Sequence, residues 1–211
     1  NETLRARNIT ELVESIRGTK FYGILKPLIL EENKIDLFSA EMALDMYYYN
    51  RLIGQLKPSM QDKEGEILRK LFGAEADLKN ILWIYRGKKY YNINKDILNR
   101  YLIPLSDKLQ KEELNKLVEA NDDVEVIELI QNTFYKDVLT GNPKKWEHEF
   151  LQYLLKVERK NVRFFPFSLA PVVGYIVLKE LEINNIISII EGIRYSVPSE
   201  DIRDQLIGRS L

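Results

Sequence analysis

Histidine, cysteine and clustered acidic residues are the types that could bind a metal or carry out nucleophilic chemistry, and this sequence has few of them. His148 is the single histidine, and there is no cysteine. A zinc site usually combines several histidine or cysteine ligands, and a serine or cysteine nucleophile needs a histidine beside it. We therefore predict no metal site, no cofactor and no catalytic residue in this chain.

The acidic stretch Asp122, Asp123 and Glu125 superficially resembles the aspartate-rich magnesium site of all-helical prenyl-transfer enzymes. Such a site needs a second acidic cluster on the other side of a cavity, and the sequence contains none. Acidic residues at the start of a helix are already explained by the positive pole of the helix dipole. An all-α prenyl-transfer enzyme is therefore the third of our hypotheses for function.

A basic and aromatic cluster around Arg86–Tyr90 is the other candidate for binding a partner. The rings and positive charges of such a cluster could stack on single-stranded nucleic acid. However, the 31 lysines and arginines are balanced by 32 acidic residues, so the chain has no broad positive field. We predict no nucleic-acid partner and only possible protein contacts for this cluster and its later counterpart, which comprise Arg86, Lys88, Lys89, Tyr90, Arg194 and Tyr195.

The elements that carry these residues are predicted to be helices. Apolar residues recur at helical spacing, as in Ile9, Leu12, Val13 and Ile16, and glycine and proline are sparse at 10 and 7. No segment alternates long enough to form a sheet. The predicted fold class is all-α.

No membrane-spanning segment is predicted. The longest stretch without a charged residue, from Phe164 to Leu178, is shorter than the ~20 apolar residues that cross a bilayer. The chain begins at Asn1 rather than methionine, so we interpret it as a fragment of a longer protein.

Two segments of the sequence are repeated. Glu75–Gly87 aligns without gaps on Glu180–Gly192 at an offset of 105, and the same offset pairs Lys89 with Arg194 and Ile97 with Ile202. Similarity at a fixed offset indicates repeated architecture. A second pair, Glu11–Thr19 and Glu125–Thr133, matches at an offset of 114. We predict two similar helical bundles of about a hundred residues each, covering residues 1–120 and 121–211.

The repeated polar residues are predicted to be structural. An asparagine inside a helix is favoured when its amide satisfies the end of a neighbouring helix. Glycines at the end of a helical pattern are typical of left-handed caps, and a basic residue in the last turn suits the negative pole. The repeat positions predicted on this basis are Asp77, Asn80, Arg86, Gly87, Glu182, Asn185 and Gly192.

Helix starts are also predicted from capping residues. Asn94 and Ser199 follow the two repeated helices and are expected to be N-caps. Asn8 with Glu11, and Asp122 with Glu125, have the spacing of a capping box.

Six segments together form a familiar pattern: Ala76–Ile81, Arg86–Lys88, Tyr101–Leu109, Gln131–Tyr135, Leu169–Ile190 and Pro198–Leu206. In this order they resemble a family of central-stalk proteins of rotary ATP synthases, known as the C subunit in archaeal complexes and the d subunit in vacuolar-type ones. The resemblance covers nearly the whole chain, although the glycine that usually follows the linker proline is absent around Leu105 and Ser106.

This resemblance implies three helical units that form a funnel around a pseudo-threefold axis, of which the first is missing here. It also implies a non-catalytic rotor protein on the cytoplasmic face of the membrane. Such a protein holds the central shaft and rests on the proteolipid ring, for ATP synthesis or ATP-driven ion transport. An unrelated all-helical adaptor or scaffold is the second hypothesis.

Overall fold

Ten α-helices joined by short turns make up most of the chain in this computed structural model, which describes residues 6–29, 34–56 and 63–208. Within those ranges there is no β-strand, only an isolated bridge between Ile29 and Ile35. The all-α prediction is confirmed. The helices are α1 (Ile9–Ser15), α2 (Lys20–Leu25), α3 (Leu37–Leu56), α4 (Lys63–Tyr90), α5 (Lys95–Arg100), α6 (Lys111–Glu119), α7 (Asp123–Ile130), α8 (Trp146–Phe164), α9 (Ala170–Arg194) and α10 (Ser199–Gln205).

The starts of α1 and α7 agree with the capping prediction. The side chain of Asn8 accepts a hydrogen bond from Glu11 N, and that of Asp122 accepts one from Glu125 N, both at 2.9 Å. Each glutamate carboxylate also accepts a hydrogen bond from the backbone N–H of the residue before the cap, which is Arg7 for α1 and Asn121 for α7. Both helices therefore begin where a side chain satisfies their free N–H groups.

Helix α4 is the centre of the fold, and it is buried along most of its length. Its apolar residues pack against α6, α7 and α8 in the largest core cluster, and on another side against α3. At Gly73 a Cβ would lie 2.8 Å from the backbone of Ser106, so only glycine permits this approach of the loop.

Helix α9 packs mainly on α8. Gly174 lies against Val162 and Glu158 of α8. The buried residues Ala170, Gly174 and Leu181 fall on one side of α9. No helix among residues 6–29, 34–56 and 63–208 is both long and apolar enough to cross a membrane.

The predicted glycine caps are wrong. Helices α4 and α9 continue past Gly87 and Gly192 to Tyr90 and Arg194, and the residues with positive φ in the turns that follow them are Asn92 (46°) and Ser196 (55°). The glycines instead make room for the next helix. A Cβ on Gly87 would lie 2.8 Å from Leu98 Cδ2, and one on Gly192 would lie 2.6 Å from Ile202 Cδ1.

Ser196 ends α9 in a Schellman motif, because Val197 N donates to Gly192 O and Ser196 N donates to Ile193 O. After α4 the corresponding bond runs from Ile93 N to Gly87 O, which spans one residue more. This extra residue changes the offset of the repeat from 105 to 104 beyond the turn.

The change of offset and the extension of α4 to Tyr90 correct three predictions about individual residues. Leu98, and not Ile97, corresponds to Ile202. Asn94 does cap α5, but the residue before α10 is Pro198, and Ser199 is already helical without a capping bond. Arg86 lies before the last turn of α4, where the basic residues are Lys88 and Lys89.

Candidate functional site: the asparagine clamps and the ends of the long helices

The two repeated asparagines make the same contact in both halves of the chain. Asn80 Nδ2 donates to Ile103 O at 3.1 Å, and Ile103 N donates to Asn80 Oδ1 at 2.9 Å. Asn185 makes the same pair of bonds with the backbone of Ile207, at 3.0 and 2.9 Å. We call each arrangement an asparagine clamp. Each clamp fixes the chain beyond a short helix onto the preceding long helix.

Replacing Asn80 with alanine is expected to lower the free energy of unfolding by about 2 kcal/mol, because a buried N–H and C=O would lose their partners. Asn185 is only partly buried, so water can replace its amide, and Asn185→Ala is expected to cost about 1 kcal/mol or less. Urea unfolding of both variants measures the difference. Equal losses, or none at Asn80, would contradict the clamp as described.

Asp77 lies one turn before Asn80 and is fully buried. Its Oδ2 accepts hydrogen bonds from the backbone N–H groups of residues 107–109, at 2.7 to 3.0 Å, and from Tyr135 Oη at 2.8 Å. We call this arrangement the Asp77 cradle. Burial raises the pKa of Asp77, and the four donors oppose that shift without cancelling it. The cradle joins α4 to the start of α6 and to the turn after α7.

The counterpart of Asp77 in the second repeat has different surroundings. Glu182 is exposed and forms an ion pair with Lys179 at 2.6 Å. At the offset of 104, the residue that corresponds to Asp107 is Leu211, which lies outside the described residues. The repeat therefore preserves the clamp and the glycine contact, but the cradle is seen only in the first copy.

The basic cluster at the end of α4 is engaged within the chain. Arg86 pairs with Glu147 at 2.6 Å, and Lys89 pairs with Asp123 at 2.5 Å. Lys88 donates to the carbonyl oxygen of Ala120, and burial lowers its pKa. These three cations attach α4 to the end of α6, to α7 and to α8, which the sequence alone did not indicate.

The other predicted contact residues are more accessible. Tyr90 and Tyr195 are 65% and 70% exposed, and the Arg194 guanidinium lies over the Tyr195 ring at 5.7 Å. Contact of these residues, and of Arg86, Lys88 and Lys89, with a partner stays a prediction.

The residues first considered for catalysis have structural surroundings. Asp122 caps α7, and Asp123 pairs with Lys89. His148 Nε2 is buried and has no hydrogen-bond partner within the described part of the chain. Among residues 6–29, 34–56 and 63–208, no group of three or more histidine or acidic side chains is placed so that it could hold a metal ion.

A cleft of ≈ 620 Å³ lies between α3, α4 and α8. Two of its carboxylates are paired with cations of α4, Asp45 with Lys79 at 3.4 Å and Glu147 with Arg86. Its remaining lining is largely aromatic and aliphatic, including Phe38, Trp83, Tyr90, Tyr91 and Phe150. The acidic side chains here are partly neutralised, which does not match the magnesium-binding cavity of the prenyl-transfer hypothesis.

Glu158 is a buried acidic residue that sequence reasoning missed. It is 5% exposed, its Oε2 has no partner, and it lies against Gly174 of α9, where a Cβ would be 3.3 Å away. Burial, and next the negative charge of Glu75, raise the pKa of Glu158 to about 7. The sequence did offer one indication of this burial, because Glu158 follows Leu155 by three residues and so lies on the apolar side of α8.

With the fold and these contacts described, comparison with known proteins gives the family. A profile described as "ATP synthase (C/AC39) subunit" matches residues 1–205, and the chain belongs to this family.

Curated relatives share that assignment. The A-type ATP synthase C subunit of Methanosphaera stadtmanae is 30% identical over 98% of this chain, and that of Archaeoglobus fulgidus is 30% identical over 98%. The corresponding protein of Methanobrevibacter smithii is 29% identical over 96%. These alignments cover 56%, 58% and 55% of the relatives, so the chain spans about half the length of the proteins it matches.

Proposed function

We propose that this chain is part of a non-catalytic central-stalk subunit that couples the soluble shaft of an A-type ATP synthase to the membrane proteolipid ring. The observation that carries the proposal is the family match over residues 1–205. The protein would lie at the cytoplasmic face of the membrane, held there through the ring.

The internal contacts support a mechanical role. A coupler transmits torque only if it is stiffer than the contacts that it joins, and close packing supplies that stiffness. The Asn80 clamp and the bond from Leu109 N to Asp77 attach loops to α4 by buried hydrogen bonds, and the Asn185 clamp attaches the equivalent loop to α9 by partly buried ones. Hydrogen bonds of this kind favour one arrangement of the helices over others.

The coupling proposal and the adaptor hypothesis predict different binding partners. In a pull-down, the purified chain is expected to retain the shaft subunits and the proteolipid ring of the Archaeoglobus fulgidus A-type ATP synthase, whose C subunit is 30% identical. The chain alone is expected to show no ATP hydrolysis. Retention of neither partner would contradict the coupling proposal and leave the adaptor hypothesis.

A charge reversal tests the predicted contact residues in the same assay. Arg194→Glu is expected to weaken retention of a partner about tenfold, because a contact across an interface loses its charge complementarity. Arg159→Glu on α8 is the matched control, since that residue is also exposed. Equal retention by both variants would remove Arg194 from the interface.

A further inference from the structure

The turn between α8 and α9 exposes apolar side chains. Phe167 is fully exposed, and Phe164 and Leu169 are 63% and 49% exposed. Phenylalanine and leucine are usually buried, and a contiguous exposed apolar patch usually marks an interaction site. The turn is therefore a candidate surface for a partner.

Local contacts hold this turn in one arrangement. Phe165 packs against the core cluster that contains Ala170, and Pro166 follows where α8 has ended. Ser168 Oγ donates a hydrogen bond to Phe165 O at 2.7 Å and accepts one from Ala170 N at 3.0 Å. Because these contacts fix the turn, Phe165 is partly buried while Phe167, two residues later, is presented to solvent.

A strip of positive charge on α8 leads to the turn. Lys156, Lys160 and Arg163 are spaced i, i+4 and i+7, so they lie on one face of the helix, and all three are exposed. Arg159 is a fourth exposed cation, at the edge of this strip. None of the four forms an ion pair with any residue in the ranges that the structure describes. Their charges are therefore available to an external partner.

The carboxylates near the turn do not neutralise this strip. Glu158 is buried on the side of α8 that faces α9. Glu64 accepts a hydrogen bond from Leu169 N at 2.9 Å, and Glu66 pairs with Lys70 at 2.8 Å. The end of α8 therefore carries a local excess of positive charge, although the whole chain has a net charge of -1.

We propose that this surface, which we call the α8–α9 tip, binds directly to an anionic lipid bilayer. The tip comprises Lys156, Lys160, Arg163, Phe164 and Phe167. The two rings enter the headgroup layer, and the three cations contact the lipid phosphates. Apolar burial and attraction to anionic lipids add in such contacts. Each basic residue near the membrane surface raises the binding constant about fivefold.

The inference rests on the residues of the tip and not on the coupling function. A chain that retains the shaft and the ring but does not bind lipid would leave the coupling proposal standing. Lipid binding without retention of either partner would leave the lipid proposal standing.

The shape of the tip favours a bilayer over other anionic partners. A fully exposed ring at a turn projects outward, and a fluid interface accepts such a projection without a matching pocket. Proteins that bind single-stranded nucleic acid combine a positive groove with aromatic rings along it. Here the charges lie on the outer face of a helix and the rings lie at and beyond its end.

Co-sedimentation with vesicles tests the proposal on the chain as it exists. The vesicles contain phosphatidylcholine alone, or equal parts of phosphatidylcholine and phosphatidylserine. The binding constant is expected to be about a hundredfold higher for the mixed vesicles, which is the combined effect of three cations, and to fall as salt is added. Equal binding to both kinds of vesicle, or binding to neither, would overturn the proposal.

A double charge reversal, Lys160→Glu with Arg163→Glu, is expected to weaken binding to the mixed vesicles about tenfold or more. The control is Lys144→Glu with Lys145→Glu, which changes the net charge equally at exposed positions at the other end of α8, about 28 Å away. The control should bind within about threefold of the unsubstituted chain. Equal losses would show that total charge alone determines binding, and would overturn the proposal.

Phe167→Ala tests the insertion of a ring separately from charge. It is expected to weaken binding to the mixed vesicles about tenfold, because less apolar surface enters the headgroup layer. The melting temperature should not change, since Phe167 is fully exposed. Ile187→Ala is the matched control, because Ile187 is an exposed apolar residue of α9 outside the tip. Equal weakening by both substitutions, or none by Phe167→Ala, would contradict insertion of the tip.

A fluorescent label reports insertion directly. The chain has no cysteine, so Phe167→Cys gives a single site for a fluorophore whose emission shifts to the blue in apolar surroundings. We expect that shift with the mixed vesicles, and none from the same fluorophore on Lys145→Cys. Shifts at both positions, or the same shift at position 167 with single-stranded DNA or soluble glycerol phosphate in place of vesicles, would overturn the proposal.

Discussion

Replacing Asp77 with alanine is expected to reduce the free energy of unfolding by about 3 kcal/mol or more. The substitution leaves the N–H groups of residues 107–109 and the Tyr135 hydroxyl without their common acceptor. A buried donor that loses its partner keeps the full cost of desolvation. Chemical denaturation followed by circular dichroism measures the loss.

Glu182→Ala is the matched control for Asp77→Ala, because the two positions are equivalent in the repeat. Glu182 has only an exposed ion pair with Lys179, so its replacement is expected to change stability by at most about 0.5 kcal/mol. Comparable losses at both positions would show that burial and the four donors are not what makes Asp77 important.

Glu158→Gln is expected to stabilise the protein above neutral pH by up to about 3 kcal/mol and to have little effect near pH 4.5. The pKa of Glu158 is raised from 4.5 to about 7 in the folded chain. As the pH rises from 4.5 to 7, the unfolded chain releases this proton while the folded chain retains it, so stability falls across that window. Glutamine keeps the shape of the side chain without a charge and removes that dependence.

Urea unfolding at pH 4.5, 6 and 8 measures the effect. The free energy of unfolding is expected to change less with pH in Glu158→Gln than in the unsubstituted chain. The control is Glu191→Gln, whose side chain is exposed on α9 and whose pH dependence should match that of the unsubstituted chain. If Glu158→Gln and the unsubstituted chain lose stability in parallel, Glu158 is ionised at no unusual cost.

The two long helices show how one repeated sequence gives two different surfaces. Helix α4 is covered on several sides, whereas α9 exposes the isoleucines that correspond to core residues of α4. The repeat thus relates a buried interface of α4 to side chains of α9 that are exposed among the described residues. The division into units at residues 1–120 and 121–211 stays a prediction.

The sequence by itself determined the features that depend on neighbours within about four residues. Helical spacing of apolar residues predicted the all-α fold, and Asn8 and Asp122 start their helices where capping chemistry placed them. These features follow from backbone bonds and side chains within a single turn. The resemblance to the ATP synthase C-subunit family was also readable, because the segments that carry it follow the family's order along nearly the whole chain.

Only the tertiary structure decided what the repeated residues contact. Gly87 and Gly192 fitted a local pattern of helix caps, yet their role is to admit Leu98 and Ile202 from the next helix. Asp77 meets Tyr135 across 58 residues of sequence, and no local spacing encodes that contact. Such pairings arise when helices pack, since packing selects which side chains are close and which charges, like that of Glu158, are removed from water.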